Sequence, residues 1–329
     1  MRKYLLSTSA LAGAALLSSA AIADVSISGS FEFDYAQRDS NVAANDGNDM
    51  GHDQEVHISF TNKTDSGLTI TAANQLKTSA NADNTDDVSV SVSGGFGKIV
   101  MGQTDGANAN YEMNALGLVQ EEEGGTLVDT GASSTATIST STSGGGGNNE
   151  QVSYHIPAMG GLTAGISFGT GTIAKNDEFT AFGLKYAMEA GGAAVTLGYS
   201  TRTIETANAA DDDRTSMGVD IVMGAVKLGL SQGTVEGVTM DETVNSAGIS
   251  YDLGNGLIVA AGMTSSEDDK DAGEEYDMTT YEAAYTIASG LSAVLNVTDF
   301  DYENGTGSSS VANQDYNGTN TSLTIKASF

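Results

Sequence analysis

The sequence predicts an all-β chain of sixteen antiparallel strands, closed on themselves into one membrane-spanning barrel. Three observations point there. Apolar and polar residues alternate with period two along most of the chain, which gives each strand one apolar and one polar face. Short Gly-rich turns alternate with long polar segments, as two different rims require. The alternation also runs through Thr321, Leu323, Ile325 and Ala327 to Phe329. A strand left with a free edge there would template aggregation, so it is expected to pair with the matching strand near Val25.

The elements follow in order. Met1-Arg2-Lys3, the apolar stretch Leu5 to Ile22 and the small residues of Ala21-Ile22-Ala23 read as an export signal cleaved after residue 23. The remaining 24–329 form a single domain, and no other run approaches the ~20 apolar residues of a membrane helix. The first strand carries Val25, Ile27, Gly29, Phe31, Phe33 and Tyr35 on one face. Hairpins then pair Val56–Phe60 with Leu68–Leu76, Val88–Val92 with Lys98–Gln103, and Val152–Ile156 with Leu162–Phe168. Four more pair Phe182–Met188 with Ala193–Tyr199, Met217–Ile221 with Val226–Leu230, Ala247–Leu253 with Leu257–Met263, and Tyr281–Ile287 with Leu291–Val297. The closing strand ends at Phe329. Long segments are expected at about 38–53, 78–86, 104–149, 170–177, 203–213, 233–242, 266–275 and 301–319.

Composition narrows the function. Thirteen basic residues against 43 acidic ones give a net charge of −30, which excludes a nucleic-acid partner, since phosphates need a basic surface. The chain has no cysteine, so it has neither disulfides nor thiolate metal sites. A single proline beside 41 glycines suits strands joined by tight turns. Only 39% of residues are hydrophobic, lean for one large core, and a wet interior resolves that shortage.

Strand parity locates the wet face. With the apolar parity outward, the inward positions carry Glu32, Asp34, Glu55, Asp87, Glu189, Asp220, Asp252 and Glu282. The same face carries Lys63, Lys77, Lys185, Arg202, Arg214, Lys227 and Lys326, while the parity of Lys98 is ambiguous. A charge facing lipid at mid-depth costs about 2–4 kcal/mol, so their absence from the apolar face is informative. Only helices and closed barrels satisfy every backbone N–H in lipid. No inward aromatic run along one strand path is expected. Tyr35, Tyr154, Phe168, Tyr186, Tyr199, Tyr251, Tyr285 and Phe329 lie on the outward parity and could form interfacial girdles.

Two passages carry a family resemblance: the strand ending in Phe329, and the turn and strand Gly95-Phe96-Gly97-Lys98-Ile99-Val100-Met101-Gly102-Gln103. With the architecture of the whole mature chain, they resemble Gram-negative general diffusion porins of the alphaproteobacterial type. The resemblance implies a passive outer-membrane channel for small hydrophilic solutes and ions, with no enzymatic activity and no cofactor. It implies a homotrimer in contact with outer-membrane lipid and lipopolysaccharide. It also implies delivery by the barrel assembly machinery, for which Phe329 is the recognition signal. A long third external loop, here about 104–149, would fold inward and narrow the pore. That places Glu112, Glu121, Glu122 and Glu123 at the constriction, with Gln103 where the family commonly has an arginine. Lys63, Lys77 and Lys185, with Glu32 and Asp34, are expected to line the pore, some of the lysines facing the loop glutamates. Loop acidity then predicts a weak cation preference.

Other motifs have plainer readings. Gly165-Ile166-Ser167-Phe168-Gly169 matches a nucleophile-elbow pattern but lies inside an alternating strand with no helix after it. His52, His57 and His155 lack metal-site spacing. Acidic clusters containing Asp211, Asp213, Asp268 and Asp271 offer hard oxygen ligands, so a structural Ca²⁺ there is the one metal considered. Alternative readings are a substrate-specific outer-membrane channel and an exported soluble β-protein such as an adhesin.

Overall fold

The computed structural model describes residues 24–41, 46–79, 83–119, 149–170, 178–205, 211–237, 241–270, 274–303 and 315–329. The segment 1–23, expected to be an export signal, therefore lies outside the described residues. The strands are β1 (Asp24–Ser40), β2 (Gly47–Lys63), β3 (Thr69–Ser79), β4 (Asp83–Gly94) and β5 (Gly97–Thr104). They continue as β6 (Asn149–His155), β7 (Leu162–Thr170), β8 (Glu178–Ala190), β9 (Ala193–Glu205), β10 (Asp212–Met223) and β11 (Val226–Glu236). The last five are β12 (Asp241–Gly254), β13 (Leu257–Asp268), β14 (Glu274–Ala288), β15 (Leu291–Glu303) and β16 (Tyr316–Ser328). Each pairs antiparallel with its sequence neighbours, and β16 returns to β1. Closure removes both edges, which is what an unbroken sheet in lipid requires.

The closing seam extends to Phe329. Gly29 N donates to Phe329 O at 2.8 Å, and Phe329 N donates back to Gly29 O at 3.0 Å. A β-carbon at Gly29 would lie 3.0 Å from Cε2 of Phe329, so the ring lies over a position that only glycine leaves vacant. Short turns close the opposite hairpins. Gly191 and Gly192, at φ 62° and 85°, supply the two left-handed residues of a tight hairpin turn.

Several strands outrun the sequence expectation. β1 reaches Ser40 and β2 begins at Gly47, where a segment of 38–53 was expected to be loop. β13 and β14 likewise continue to Asp268 and from Glu274. Beyond the apolar band the outward residues become Glu267, Glu275, Asp277, Asp299, Asp301 and Glu303, while the backbone ladder continues unchanged. Hydrogen bonding does not need the hydrophobic alternation that announces a strand in sequence.

Of the expected outward aromatics all but Tyr35, which is half-buried, are exposed. Tyr154, Phe168, Tyr186, Tyr199, Tyr251, Tyr285 and Phe329 are all exposed, as are Leu230, Ile249, Met263 and Leu295. The described core lies inside the barrel, on its inward face: Leu116, Tyr276, Met278, Phe300, Tyr302 and Tyr316 form one buried cluster.

Candidate functional site

After β5 the chain turns into the barrel. A single helical turn, α1 (Ala107–Tyr111), is followed by a 3-10 turn, Ala115–Leu118. Asn114 caps the second of these through Oδ1, which accepts from Leu116 N at 3.0 Å. The segment then crosses the inward face of one strand after another, held by short polar contacts. Ala107 N donates to Ser167 Oγ of β7 at 2.9 Å. Ser216 Oγ of β10 donates to Met113 O at 3.3 Å, and Ala115 N donates to Ser231 Oγ of β11 at 2.9 Å. The Tyr111 hydroxyl lies 3.0 Å from Nδ1 of His155, whose Nε2 lies 3.0 Å from Ser153 Oγ. Ser167 is thus an anchor for the segment, which accounts for the nucleophile-like pattern around it.

A track of inward glycines makes room for it. Gly165 pairs with Gly183, Gly198 with Gly218, and Gly248 with both Gly229 and Gly262. A β-carbon would lie 2.7 Å from Ala107 O at Gly183, 2.2 Å from Met113 Cγ at Gly198, and 2.2 Å from Ala115 O at Gly248. Real β-carbons do not approach carbonyl oxygens that closely, so the backbone of 107–116 rests directly on strand backbone. At its far end Leu116 joins Tyr276, Met278, Phe300, Tyr302 and Tyr316. The Phe300 and Tyr316 rings stand 5.0 Å apart, and the Tyr302 hydroxyl donates to Glu274 Oε1 at 2.7 Å. These inward aromatics are spread over β14, β15 and β16. They are covered, with Tyr276 at 0% exposure, so they pack rather than line a free surface.

The two halves of the inner wall differ. Inward residues across β6–β16 are largely buried, including Ser153, Ser167, Ser200, Ser216, Thr280, Asn296, Thr298, Ser322 and Thr324. Among the described residues, no inward position of β1–β4 is buried. That open wall carries Glu32, Asp34, Asp53, Glu55 and Asp87 around Lys77, with Arg38 and Asp49 toward one rim and Lys63 at the other. Lys77 Nζ lies 2.9 Å from Asp53 Oδ2 and 3.4 Å from Glu55 Oε1. His57 Nε2 is 3.2 Å from Glu55 Oε2, and Lys326 Nζ is 3.4 Å from Glu32 Oε1.

The expected site residues fall out as follows. Glu112 directly follows α1 and is half-buried, its N–H donating to Asn108 O at 2.8 Å. Glu121, Glu122 and Glu123 lie outside the described residues. Gln103 pairs with Val88 and Glu150, which gives it the outward face of Met101 and Val152 rather than the face that carries the segment. Lys185 sits beneath the segment, its Nζ donating to Asn110 O at 3.4 Å, so it supports the loop instead of facing it. Lys63 pairs with Thr69 beside the short turn, away from the segment. Glu32, Asp34 and Lys77 lie on the inward parity of β1 and β3. Lys98 pairs with Ser93 and His155, which settles it on the inward parity.

The calcium candidates are not brought together. Asp213 on β10 and Asp268 on β13 are separated by β11 and β12. Asp213 accepts from Thr203 Oγ1, Asp268 accepts backbone N–H groups of Asp241 and Lys270, and Asp271 lies outside the described residues. Among the described residues no group of three or more His, Cys, Asp or Glu could hold a metal ion.

The geometry is that of a closed sixteen-stranded barrel with a chain segment laid across its inner wall. A family model described as Gram-negative porin matches residues 7–305. The chain belongs to the Gram-negative porin family. It is accordingly a passive diffusion channel of the outer membrane, in a family of channels that are not enzymes. Among solved structures it is similar to an anion-selective porin from Comamonas acidovorans, at 15% identity and a TM-score of 0.69, covering 94% of this chain and 100% of that one. A loop-deletion form of OmpT from Vibrio cholerae gives 13% identity and a TM-score of 0.68, with 93% and 99% covered. A mutant porin from Rh. blastica gives 14% and 0.63, with 93% and 100% covered. At these identities the structural likeness establishes the fold. No curated protein sequence matches the chain.

Proposed function

We propose that this porin is weakly cation-selective and that its water path follows the inner wall of β1–β4. The observation that carries the reading is the contrast between that uncovered, carboxylate-rich wall and the covered wall of β6–β16. Glu32, Asp34, Asp53, Glu55 and Asp87 outnumber Lys77 there, so the local potential attracts cations, over a reach of about 10 Å at 0.1 M salt. Lys63 and Arg38 sit nearer the rims, where screening by bulk salt is strongest. Selectivity then comes from steric narrowing by the seated segment plus the charge of the wall it leaves open.

Single-channel recording in a planar bilayer under a salt gradient tests this. A reversal potential of cation sign is expected, and one of anion sign overturns the electrostatic part while leaving the channel intact. The Comamonas porin, whose description is anion-selective, supplies a reference of opposite sign.

A homotrimer is part of the same proposal. It is supported by the family and by a similar structure, OmpT of Vibrio cholerae, described as a trimer form, with 13% identity and a TM-score of 0.66. Conductance closing in three equal steps is the expected signature.

A further inference from the structure

Across β1, β2 and β3, with Lys326 of the neighbouring β16, the open wall presents charges of both signs in one band. Lys326 pairs in register with Glu32, Glu32 with Asp53, and Glu55 with Lys77. Two carboxylates facing each other directly across neighbouring strands destabilise a sheet. Glu32 opposite Asp53 is therefore a cost to the barrel, only partly offset by Lys326 on one side and Lys77 on the other.

The offsetting contacts are themselves weak. Lys77 is 36% exposed, and its partners Asp53 and Glu55 are 31% and 24% exposed. Ion pairs this wet contribute little to stability, so they open readily. One cation shared between two carboxylates is poised to exchange partners.

We infer that Lys77, Asp53, Glu55 and Glu32 form a partner-exchange site for zwitterionic solutes, the chemical class of free α-amino acids. The site rests on the proposed water path along β1–β4. A simple cation is drawn to the carboxylates but repelled by Lys77, and a simple anion meets the reverse. A solute with an ammonium and a carboxylate on one carbon answers both. Its carboxylate takes Lys77 Nζ while its ammonium takes Asp53, and Glu55, which also gives up Lys77, keeps its contact with His57 Nε2. No bond is made or broken, and the loose pairs allow release as easily as capture. Passage stays passive and gains a preference for the zwitterion over a neutral solute of equal size.

Liposome swelling with the purified porin tests this, using serine as the zwitterion and erythritol as the neutral reference for every variant. In the natural protein the serine rate should exceed the erythritol rate by about threefold, the size one exchanged surface ion pair supplies. Lys77→Met should bring that ratio close to one, and Lys77→Arg should restore it. A ratio near one in the natural protein overturns the site, and so does a ratio untouched by Lys77→Met. If serine and erythritol both permeate yet thiol probes show the β1–β4 wall to be dry, the water-path reading fails and takes the site with it.

Discussion

A β-carbon at Gly248 would lie 2.2 Å from the carbonyl oxygen of Ala115. That approach lets the inward segment rest on the wall instead of standing off it. Gly248→Ala demands little of the strand, because alanine tolerates extended backbone. It therefore pushes the segment, which can move only toward the open wall. Overpacking of this kind costs about 1–3 kcal/mol. We predict a barrel that still folds, with lower single-channel conductance and more open-channel noise. Unchanged conductance would show that residues 107–116 do not restrict the passage.

Tyr111 ties the segment to β6 through its contact with His155. Burial raises its hydroxyl pKa above the ordinary value of 10.0. A raised value means that the protonated form favours the seated state. Its contribution is complete below pH 10 and is lost as pH climbs through the raised value. Channel noise should accordingly increase above about pH 10. Tyr111→Phe should cost about 1 kcal/mol of segment anchoring and abolish that alkaline rise. An alkaline rise that persists in Tyr111→Phe would assign it to another group.

Lys77 neutralises part of the open wall. Its removal by Lys77→Met should make the reversal potential under a salt gradient more strongly cation-signed, and Asp53→Asn with Glu55→Gln should make it less so. Since these pairs are about one-third exposed, a double-mutant cycle between Lys77 and Asp53 should give a coupling below about 1 kcal/mol. Identical potentials in all variants would place the ions elsewhere in the lumen.

At the seam, a β-carbon on Gly29 would meet Glu55 O at 2.9 Å and the Phe329 ring at 3.0 Å. Gly29→Val should lower barrel stability by about 1–3 kcal/mol, seen as an earlier heat-induced mobility shift on gels. A mobility shift at the natural temperature would mean that Phe329 does not need its place over Gly29.

The strands and the inward placement of Glu32, Asp34 and Lys77 were legible because period two is strict wherever one face meets lipid. Strand ends were not. Past Met263 and Tyr281 the outward residues become Glu267 and Asp277, and the alternation fades although the ladder continues. Parity also cannot say what covers an inward residue. Lys185 and Lys77 share a parity, yet one supports the segment and the other faces water. The missed signal was glycine recurring on the inward parity of β7 to β13, from Gly165 to Gly262. A side chain is worth omitting at so many wall positions only when backbone must approach. The inward Tyr276, Phe300 and Tyr302 escaped notice because they lie beyond the apolar runs that defined their strands.

The natural chain has no cysteine, so single introduced thiols report water without background. Ser59→Cys and Ser91→Cys on the open wall should react with a charged, water-soluble thiol reagent during recording and reduce the current stepwise. Ser200→Cys and Thr298→Cys, at positions 1% and 0% exposed, should not react. Equal reaction at all four positions, or reaction at Ser200→Cys and Thr298→Cys alone, would contradict a water path along β1–β4.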